Sequence, residues 1–128
     1  MPIKLDPTRP IYLQIMEEIK KRSVRGVYAS GEKLPSVREM AREMEVNPNT
    51  IARVYRELER DGFIFTRRGQ GSFITEDSVS IEEERTRLGH AITGRFVDDV
   101  SELEMTDDQV REMLKTLNQK LLKKKRQK

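Results

Sequence analysis

The sequence contains no cysteine, no tryptophan and a single histidine, His90, in 128 residues. Without cysteine the chain can form no disulfide and no thiolate nucleophile, and a reducing compartment is permitted. A single imidazole provides few of the ligands that a metal ion needs. We therefore favour a surface or interface role for His90 over a metal site of His90 with Asp98 or Asp99. No Ser/His/Asp arrangement can be argued either. We therefore expect neither an enzyme nor a protein with a metal or a cofactor.

Long hydrophobic runs are also missing. The first residues, M-P-I-K-L-D-P, lack the apolar core of a signal peptide, and no run approaches the length of a membrane span. We therefore expect a cytoplasmic protein with no membrane partner. Hydrophobic residues make up 35% and charged residues 37% of the chain. This balance predicts a small core and a long solvated helical surface, with part of the core formed across a subunit interface.

The charges are unevenly distributed along the chain. Residues 9–75 carry 13 basic and 9 acidic side chains, residues 76–119 carry 5 and 12, and residues 120–128 carry 6 basic side chains alone. A basic segment suits DNA, whereas an acidic one repels phosphates. The two halves should therefore have different roles. The basic tail, residues 122–128, is expected to be disordered, as a frayed, solubilising helix end or a non-specific DNA contact.

Two helix starts follow one another closely in the basic segment. Ser36 with Glu39 forms a capping box, and Asn47 followed by Pro48 is a typical helix start. Asp61-Gly62 predicts the end of the second helix. These patterns predict helices over about 36–43 and from Asn47 to Asp61, separated by a short turn.

The second of these helices is amphipathic. Ile51, Val54, Tyr55 and Leu58 lie on one side of its helical wheel. The opposite side contains an amide and three guanidiniums, from Asn49, Arg53, Arg56 and Arg60. Asn can pair bidentately with adenine and Arg with guanine in the major groove. The alternative is a solvated face whose arginines pair with Glu57 and Glu59.

Two short apolar runs, 63–65 and 73–74, flank a polar tip from Arg67 to Gly71 and predict a β-hairpin. The tip has two arginines for charge and two glycines that allow close backbone approach, which favours a minor-groove or phosphate contact. The G-Q-G sequence lacks the context of a nucleotide fingerprint. Helix, turn, helix and hairpin in this order predict a winged helix-turn-helix, which reads duplex DNA. A-form RNA has a deep groove that excludes a helix.

A further helix is predicted from Pro10 to about Arg25, with an apolar stripe formed by Ile11, Ile15, Met16 and Ile19. Its basic cluster Lys20–Arg22 is interpreted as complementing the helix dipole, with phosphate contact as the alternative. Arg38 lies off the apolar stripe of its helix. We favour a phosphate contact for Arg38 over a surface ion pair.

The acidic segment contains two amphipathic patterns after a polar linker, residues 76–80. The first, over about 80–103, has apolar residues at spacings of 7, 4, 4, 4 and 3, and the second follows a capping box of Thr106 and Gln109. Such a helical hairpin is too small to cover both stripes, so we predict homodimerisation, with docking on the basic domain as the alternative. The predicted dimerisation residues are Ile81, Leu88, Ile92, Phe96, Val100, Val110, Met113, Leu114, Leu117 and Leu121.

The sequence resembles the GntR family of bacterial transcription regulators, and within it the short YtrA-like branch. The resemblance runs over about 10–74, in the motifs I-Y-L-Q-I, G-E-K-L-P-S-V-R-E-M-A, V-N-P-N-T-I-A-R-V-Y-R-E-L-E-R-D-G and R-R-G-Q-G-S-F-I. It implies a dimeric repressor that binds palindromic operators, often of transporter operons, with a short two-helix dimerisation segment. Pro48 and Ala52 stand where better-characterised members often carry Arg, so the resemblance implies no operator sequence.

Taken together, the sequence predicts a mainly α chain with a small β-hairpin. It comprises a winged helix-turn-helix domain, residues 1–75, and a two-helix dimerisation segment with a basic tail, residues 76–128. The expected partners are double-stranded DNA and a second copy of the chain, and the residues identify no small-molecule effector. A non-enzymatic winged-helix interaction protein, or an architectural one without operator specificity, is the alternative. The predicted DNA-binding residues are Ser36, Arg38, Asn47, Pro48, Asn49, Thr50, Arg53, Arg56, Arg67, Arg68, Gly69 and Gly71. The resemblance implies such roles for Arg38, Asn47, Asn49, Thr50, Arg68 and Gly69.

Overall fold

A computed structural model of the chain describes residues 2–127. Over these residues it has five helices and one antiparallel pair of strands. The elements are α1 (Ile11–Val24), α2 (Val37–Met44), α3 (Pro48–Arg60), β1 (Ile64–Arg67), β2 (Gly71–Ile74), α4 (Ser78–Ser101) and α5 (Asp107–Arg126). This order confirms the predicted mainly helical winged helix-turn-helix, and the bounds predicted for α1 to α4 agree with the observed ones to within two residues. Helix α5 continues to Arg126, so the expectation of a disordered tail is wrong for residues 122–126.

The turn between α2 and α3 depends on caps that the sequence already contains. The hydroxyl of Ser36 accepts the backbone N–H of Glu39, whose carboxylate in turn accepts the N–H of Ser36. Glu45 ends α2 in the left-handed conformation, with φ 58°. The side chain of Asn47 then accepts the N–H of Asn49 at 2.8 Å. Both free helix ends are therefore satisfied locally, which fixes the angle at which α3 leaves the turn.

The core lies between the first three helices and the hairpin. All four predicted apolar residues of α3 are buried, and the buried core residues of the other elements include Ile15, Ile19, Leu34, Met40, Met44, Phe63, Ile64 and Ile74. Ile11 was predicted in the stripe of α1 but is 48% exposed, because it is the first helical residue and extends past the core. The other α1 residues of the stripe bury the helix against α3.

The hairpin also forms backbone hydrogen bonds with a segment outside its two strands. Strand β1 pairs with β2 from Ile64 opposite Ile74 to Arg67 opposite Gly71. The segment before α2 bonds to the outer edge of β2, since the N–H of Leu34 donates to Ser72 and the N–H of Ile74 donates to Glu32. This connection joins the hairpin to the start of α2.

Helix α4 begins two residues earlier than the predicted Ser80. The carboxylate of Asp77 accepts the N–H of Val79 at 3.0 Å and the hydroxyl of Ser80 at 2.8 Å, which caps the helix at this point. Arg85 donates to the backbone oxygen of Val24 at 2.8 Å, so the first turns of α4 are attached to the end of α1. None of the helices within residues 2–127 is long and apolar enough to cross a membrane.

The described residues divide into two compact units. The first ends at Gly89 and includes the first turns of α4, while the second begins at His90 and includes the rest of α4 and all of α5. In the second unit, the hydroxyl of Thr106 and the side chain of Gln109 form the predicted capping box. No residue of α5 is buried, so the apolar stripe of this helix remains accessible.

Candidate nucleic-acid interface

The outward face of α3 is polar and cationic. Asn49, Arg53 and Arg56 are exposed, and Thr50 is half-buried beside them. Asn47 and Pro48 are exposed at the helix start, where the Asn47 side chain is already used as the cap. This face therefore presents an amide and two guanidiniums in a row, the groups that recognise base edges and phosphates.

The arginines of this face differ in their partners. Arg60 donates to the carboxylate of Glu57 at 3.4 Å, as the solvated-face interpretation predicts. Arg53 and Arg56 have no carboxylate within 4.0 Å in the described part of the chain. The guanidinium of Arg53 instead lies over the ring of Tyr12, 3.7 Å from its centroid. The positive charge of two of the three arginines is thus available to an external anion.

The start of α2 adds another exposed cation. Arg38 is the second residue of the helix and is exposed, next to the Ser36 cap. The hydroxyl of Ser36 accepts one hydrogen bond and can still donate to a phosphate. Hydrogen bonds from Ser36, followed by the Arg42 and Lys33 charges, hold the pKa of Glu39 below its usual value. The capping carboxylate is therefore ionised at neutral pH.

The hairpin tip separates its two arginines. Arg67 lies on one face of the hairpin, 5.3 Å from the Phe65 ring centroid, and its guanidinium is 3.9 Å from Glu76. Arg68 is exposed at the turn, where Gly69 has φ 78°. A positive φ at the third residue of a turn is what a type II turn requires, and glycine adopts it without strain. Arg68 is thus the arginine that the turn exposes to solvent at the tip of the hairpin.

Gly71 permits a close approach beside this tip. Its φ is 117°, and a side chain at this position would bring its first carbon to 2.9 Å from the Cε atom of Lys33. The two glycines predicted as DNA-binding residues therefore have backbone roles, shaping the turn that presents Arg68.

The predicted basic cluster at the end of α1 is paired with carboxylates, and two of its members are buried. Lys20 and Arg22 are buried. Lys20 lies 3.4 Å from Glu84 and 3.8 Å from Asp61, and Arg22 donates to Glu18 at 3.0 Å. A phosphate cannot be their main partner, since their charges are neutralised inside the domain. Lys21 and Arg22 do lie in the last turn of α1, as the helix-dipole interpretation predicts.

Burial disfavours the charged form of Lys20. It lowers the pKa of Lys20, as does the nearby charge of Arg87, while Asp61 opposes them. Sequence reasoning missed this cluster because its members come from two helices, α1 and α4, and from the turn after α3. No local pattern relates residues that are distant in sequence.

Tyr12 and Gln14 are further residues whose roles the sequence analysis missed. Both occur in the I-Y-L-Q-I motif, which was the available signal. The buried amide of Gln14 accepts the N–H of Asp6 and donates to the backbone oxygens of Asp6 and Arg9, all within 2.9 Å. The lead-in before α1, residues 2–9, is thereby attached to α1.

The predicted dimerisation residues lie in different environments. Ile81 is 8% exposed within the core of the first unit, so it is unavailable to a second copy. In the second unit Ile92, Leu114 and Leu121 are 50%, 49% and 61% exposed. The remaining members are half-buried: Leu88, Phe96, Val100, Val110, Met113 and Leu117. His90 is exposed, and no group of three or more acidic, His or Cys side chains in residues 2–127 could hold a metal ion.

The known proteins that this chain resembles are transcription regulators. A model of the family described as bacterial regulatory proteins, gntR family, matches residues 11–74. The chain is 46% identical over 112 residues to the HTH-type transcriptional regulator YhcF of Bacillus subtilis, covering 88% of this chain and 93% of that one. It is 39% identical over 100 residues to the HTH-type transcriptional repressor YtrA of the same organism, covering 75% and 77%. A solved GntR family transcriptional regulator from Listeria monocytogenes superposes with a TM-score of 0.77 at 39% identity, covering 88% and 98%.

Proposed function

The chain belongs to the gntR family of bacterial regulatory proteins and is a DNA-binding transcription regulator, and from this premise we propose that it is a homodimeric repressor of a palindromic operator. The observation that carries the proposal is the outward face of α3, where the charges of Arg53 and Arg56 are not neutralised by a carboxylate within residues 2–127. Asn49 lies on the same face. An exposed helix with these groups fits the major groove of duplex DNA.

Contacts to the DNA backbone would come from the elements on either side of α3. Arg38 at the start of α2 and Arg68 at the hairpin tip are exposed. Cations at such positions orient a reading helix through phosphates, without sequence preference of their own. We therefore assign base reading to α3 and orientation to Arg38 and Arg68.

The second unit supports the homodimer. Its apolar side chains are half-buried or exposed, and none in α5 is buried. The segment 76–119 has 5 basic against 12 acidic residues, which disfavours DNA contact. A standard interface buries roughly 1,600 Å². At about 25 cal/mol per Å² of apolar burial, burying this area supplies ample free energy for a stable dimer before the costs of association are subtracted. A second copy would cover the stripe of α5.

A dimer with twofold symmetry requires two equivalent half-sites, hence a palindromic operator. We propose repression because the similar protein YtrA is named a repressor. A bound dimer would act by occupying the promoter. The target that we propose, a transporter operon, rests only on the resemblance to the YtrA-like branch.

The test is to select duplexes from a random-sequence library with the full chain and to titrate a labelled selected duplex by fluorescence anisotropy. We expect a palindromic consensus bound by two chains, with affinity that falls steeply with salt. Arg53→Ala should weaken specific binding by about 1–3 kcal/mol. Arg60→Ala is the matched control, because Arg60 is on the same helix but already pairs with Glu57.

Two results would overturn the proposal. A selection that yields no consensus, with equal affinity for all duplexes, would support the architectural alternative. Sedimentation showing one chain per bound duplex would contradict the homodimer and leave DNA binding itself intact.

A further inference from the structure

We propose that Tyr12 is a positioning residue for operator recognition. Its ring holds the guanidinium of Arg53 in the orientation from which Arg53 reads a guanine in each half-site. The inference rests on the proposed function, because it assumes that α3 enters the major groove. It adds a residue on α1, outside the helix-turn-helix, to the determinants of specificity.

The geometry between the two residues is that of a stack. The central carbon of the Arg53 guanidinium lies 3.7 Å from the centroid of the Tyr12 ring. Other cation–ring pairs in the molecule are looser: Lys20 is 5.7 Å from the Phe63 centroid and Arg67 is 5.3 Å from that of Phe65. A separation of 3.7 Å is van der Waals contact, so the ring restricts the guanidinium directly.

Stacking leaves the recognition groups of Arg53 available. The five N–H donors of a guanidinium lie in its plane, and an aromatic ring occupies only its face. Two of these donors pair with the O6 and N7 atoms of guanine when the plane is correctly oriented. A preoriented arginine also loses less side-chain freedom on binding. Tyr12 can thus improve discrimination without touching a base.

Tyr12 is itself well fixed. It is half-buried and packs against the core cluster, and it is the second residue of α1. Two residues further on, the buried Gln14 bonds to the lead-in at Asp6 and Arg9. The same helix buries Ile15 with α3. The ring is therefore held by the packing of α1 against the core.

The environment of Arg53 is also suited to an incoming base. It has no carboxylate within 4.0 Å in the described residues, unlike Arg60. An open groove of about 450 Å³ lies beside the stack, lined by Pro10, Ile11, Tyr12, Asn49, Thr50 and Arg53. Among these residues Arg53 is the only one with a formal charge. Its stack with Tyr12 therefore determines the direction of the cation in this groove.

The test is a double-mutant cycle on the full chain, measured by anisotropy with the selected operator and with operators altered at one guanine pair at a time. Tyr12→Leu should weaken operator binding about fivefold or more, the scale of a cation–ring contact, and should reduce discrimination at the guanine that Arg53 reads. Tyr12→Phe keeps the ring and should stay within about twofold of the wild type. In an Arg53→Ala background, Tyr12→Leu should have no further effect.

Controls separate positioning from stability. Arg68→Ala should weaken binding to every duplex without changing the ratio between operators, since it contacts phosphate. Thermal unfolding of each variant checks the fold. If Tyr12→Leu unfolds, Tyr12→Met tests the same contact, because a flexible thioether chain fills the space without an aromatic face. Tyr12→Met should reduce the guanine preference that Arg53 gives the wild type.

Three results would overturn the inference. These are an unchanged guanine preference in Tyr12→Leu or Tyr12→Met, an equal effect of Tyr12→Leu with and without Arg53, and a loss in Tyr12→Phe as large as in Tyr12→Leu. Each can occur while the wild type still selects a palindrome and Arg53→Ala still relaxes it. In that case only the positioning role fails. If the wild type selects no sequence, the proposed function fails first.

Discussion

The ammonium group of Lys20 lies 3.4 Å from the carboxylate of Glu84, and both side chains are 10% exposed. Arg87 also pairs with Glu84, and Asp61 lies 3.8 Å from Lys20. The contact joins α1 to the first turns of α4 inside the first unit. In a buried pair of this kind the cost of removing both charges from water offsets much of their attraction, so the net contribution to stability is small while the loss of one partner is costly.

We predict that Lys20→Met lowers the free energy of unfolding by about 1–3 kcal/mol. This is less than the roughly 3–5 kcal/mol typical of an orphaned buried charge, because Arg87 still pairs with Glu84. Lys20→Met combined with Glu84→Leu should recover part of the loss. Urea unfolding of the three variants measures it, and a double variant less stable than Lys20→Met would contradict the prediction.

The capping box of α2 should give a pH-dependent contribution to stability. The pKa of Glu39 is lowered in the folded state, so its stabilising effect is present above the unfolded pKa and is lost as pH falls through the folded value. Glu39→Gln keeps an acceptor for the Ser36 N–H but cannot titrate. The melting temperature should fall more in the wild type than in Glu39→Gln between pH 6 and pH 3, and parallel curves would show that the carboxylate has no such role.

The side chain of Asn47 caps α3, so replacing it should lower the free energy of unfolding as well as affect DNA binding. Asn47→Ala removes the acceptor of the Asn49 N–H and should cost about 1 kcal/mol. Asn47→Asp keeps the acceptor and places a negative charge at the positive end of the helix, so it should retain stability. It also adds charge beside the DNA and should weaken binding. A stable Asn47→Ala variant would mean that the side chain acts only on DNA.

The tip of the hairpin should affect the salt dependence of binding. Arg68→Ala removes one exposed cation and should reduce the slope of log affinity against log salt by about 1. Gln70→Ala, two residues along the same turn, is the neutral control. Anisotropy titrations at salt concentrations from about 50 to 200 mM give the slope for each variant. Equal slopes would exclude Arg68 from the phosphate contacts.

The stripe of α5 should control self-association. Leu114→Glu puts a charge on a residue that is 49% exposed in the single chain and would be buried in a dimer. We expect sedimentation at micromolar concentration to show monomers and operator affinity to fall. Gln119→Glu adds the same charge on the opposite side of the helix and should remain dimeric. If Leu114→Glu also remained dimeric, the interface would lie elsewhere.

Local patterns were sufficient for much of the fold. Ser36 with Glu39 and Asn47 with Pro48 identified both starts of the helix-turn-helix, because a cap acts over three or four residues. The helical spacing of the apolar residues identified the buried side of α3. The tip with two glycines, between two short apolar runs, identified the hairpin. The same reasoning oriented Asn49 and Arg53 outward. These features depend on backbone hydrogen bonds and side-chain direction within one element, so they follow from the order of the residues alone.

Other features were decided by the tertiary structure. Ile81 fits the stripe of α4 but is buried in the first unit, and Lys20 resembles a surface cation but pairs with Glu84. The partner of Arg53 is Tyr12, from another helix. Each case depends on which residue of a distant element comes within a few ångströms. Periodicity predicts which side of a helix is buried, but only packing selects the residue that it meets.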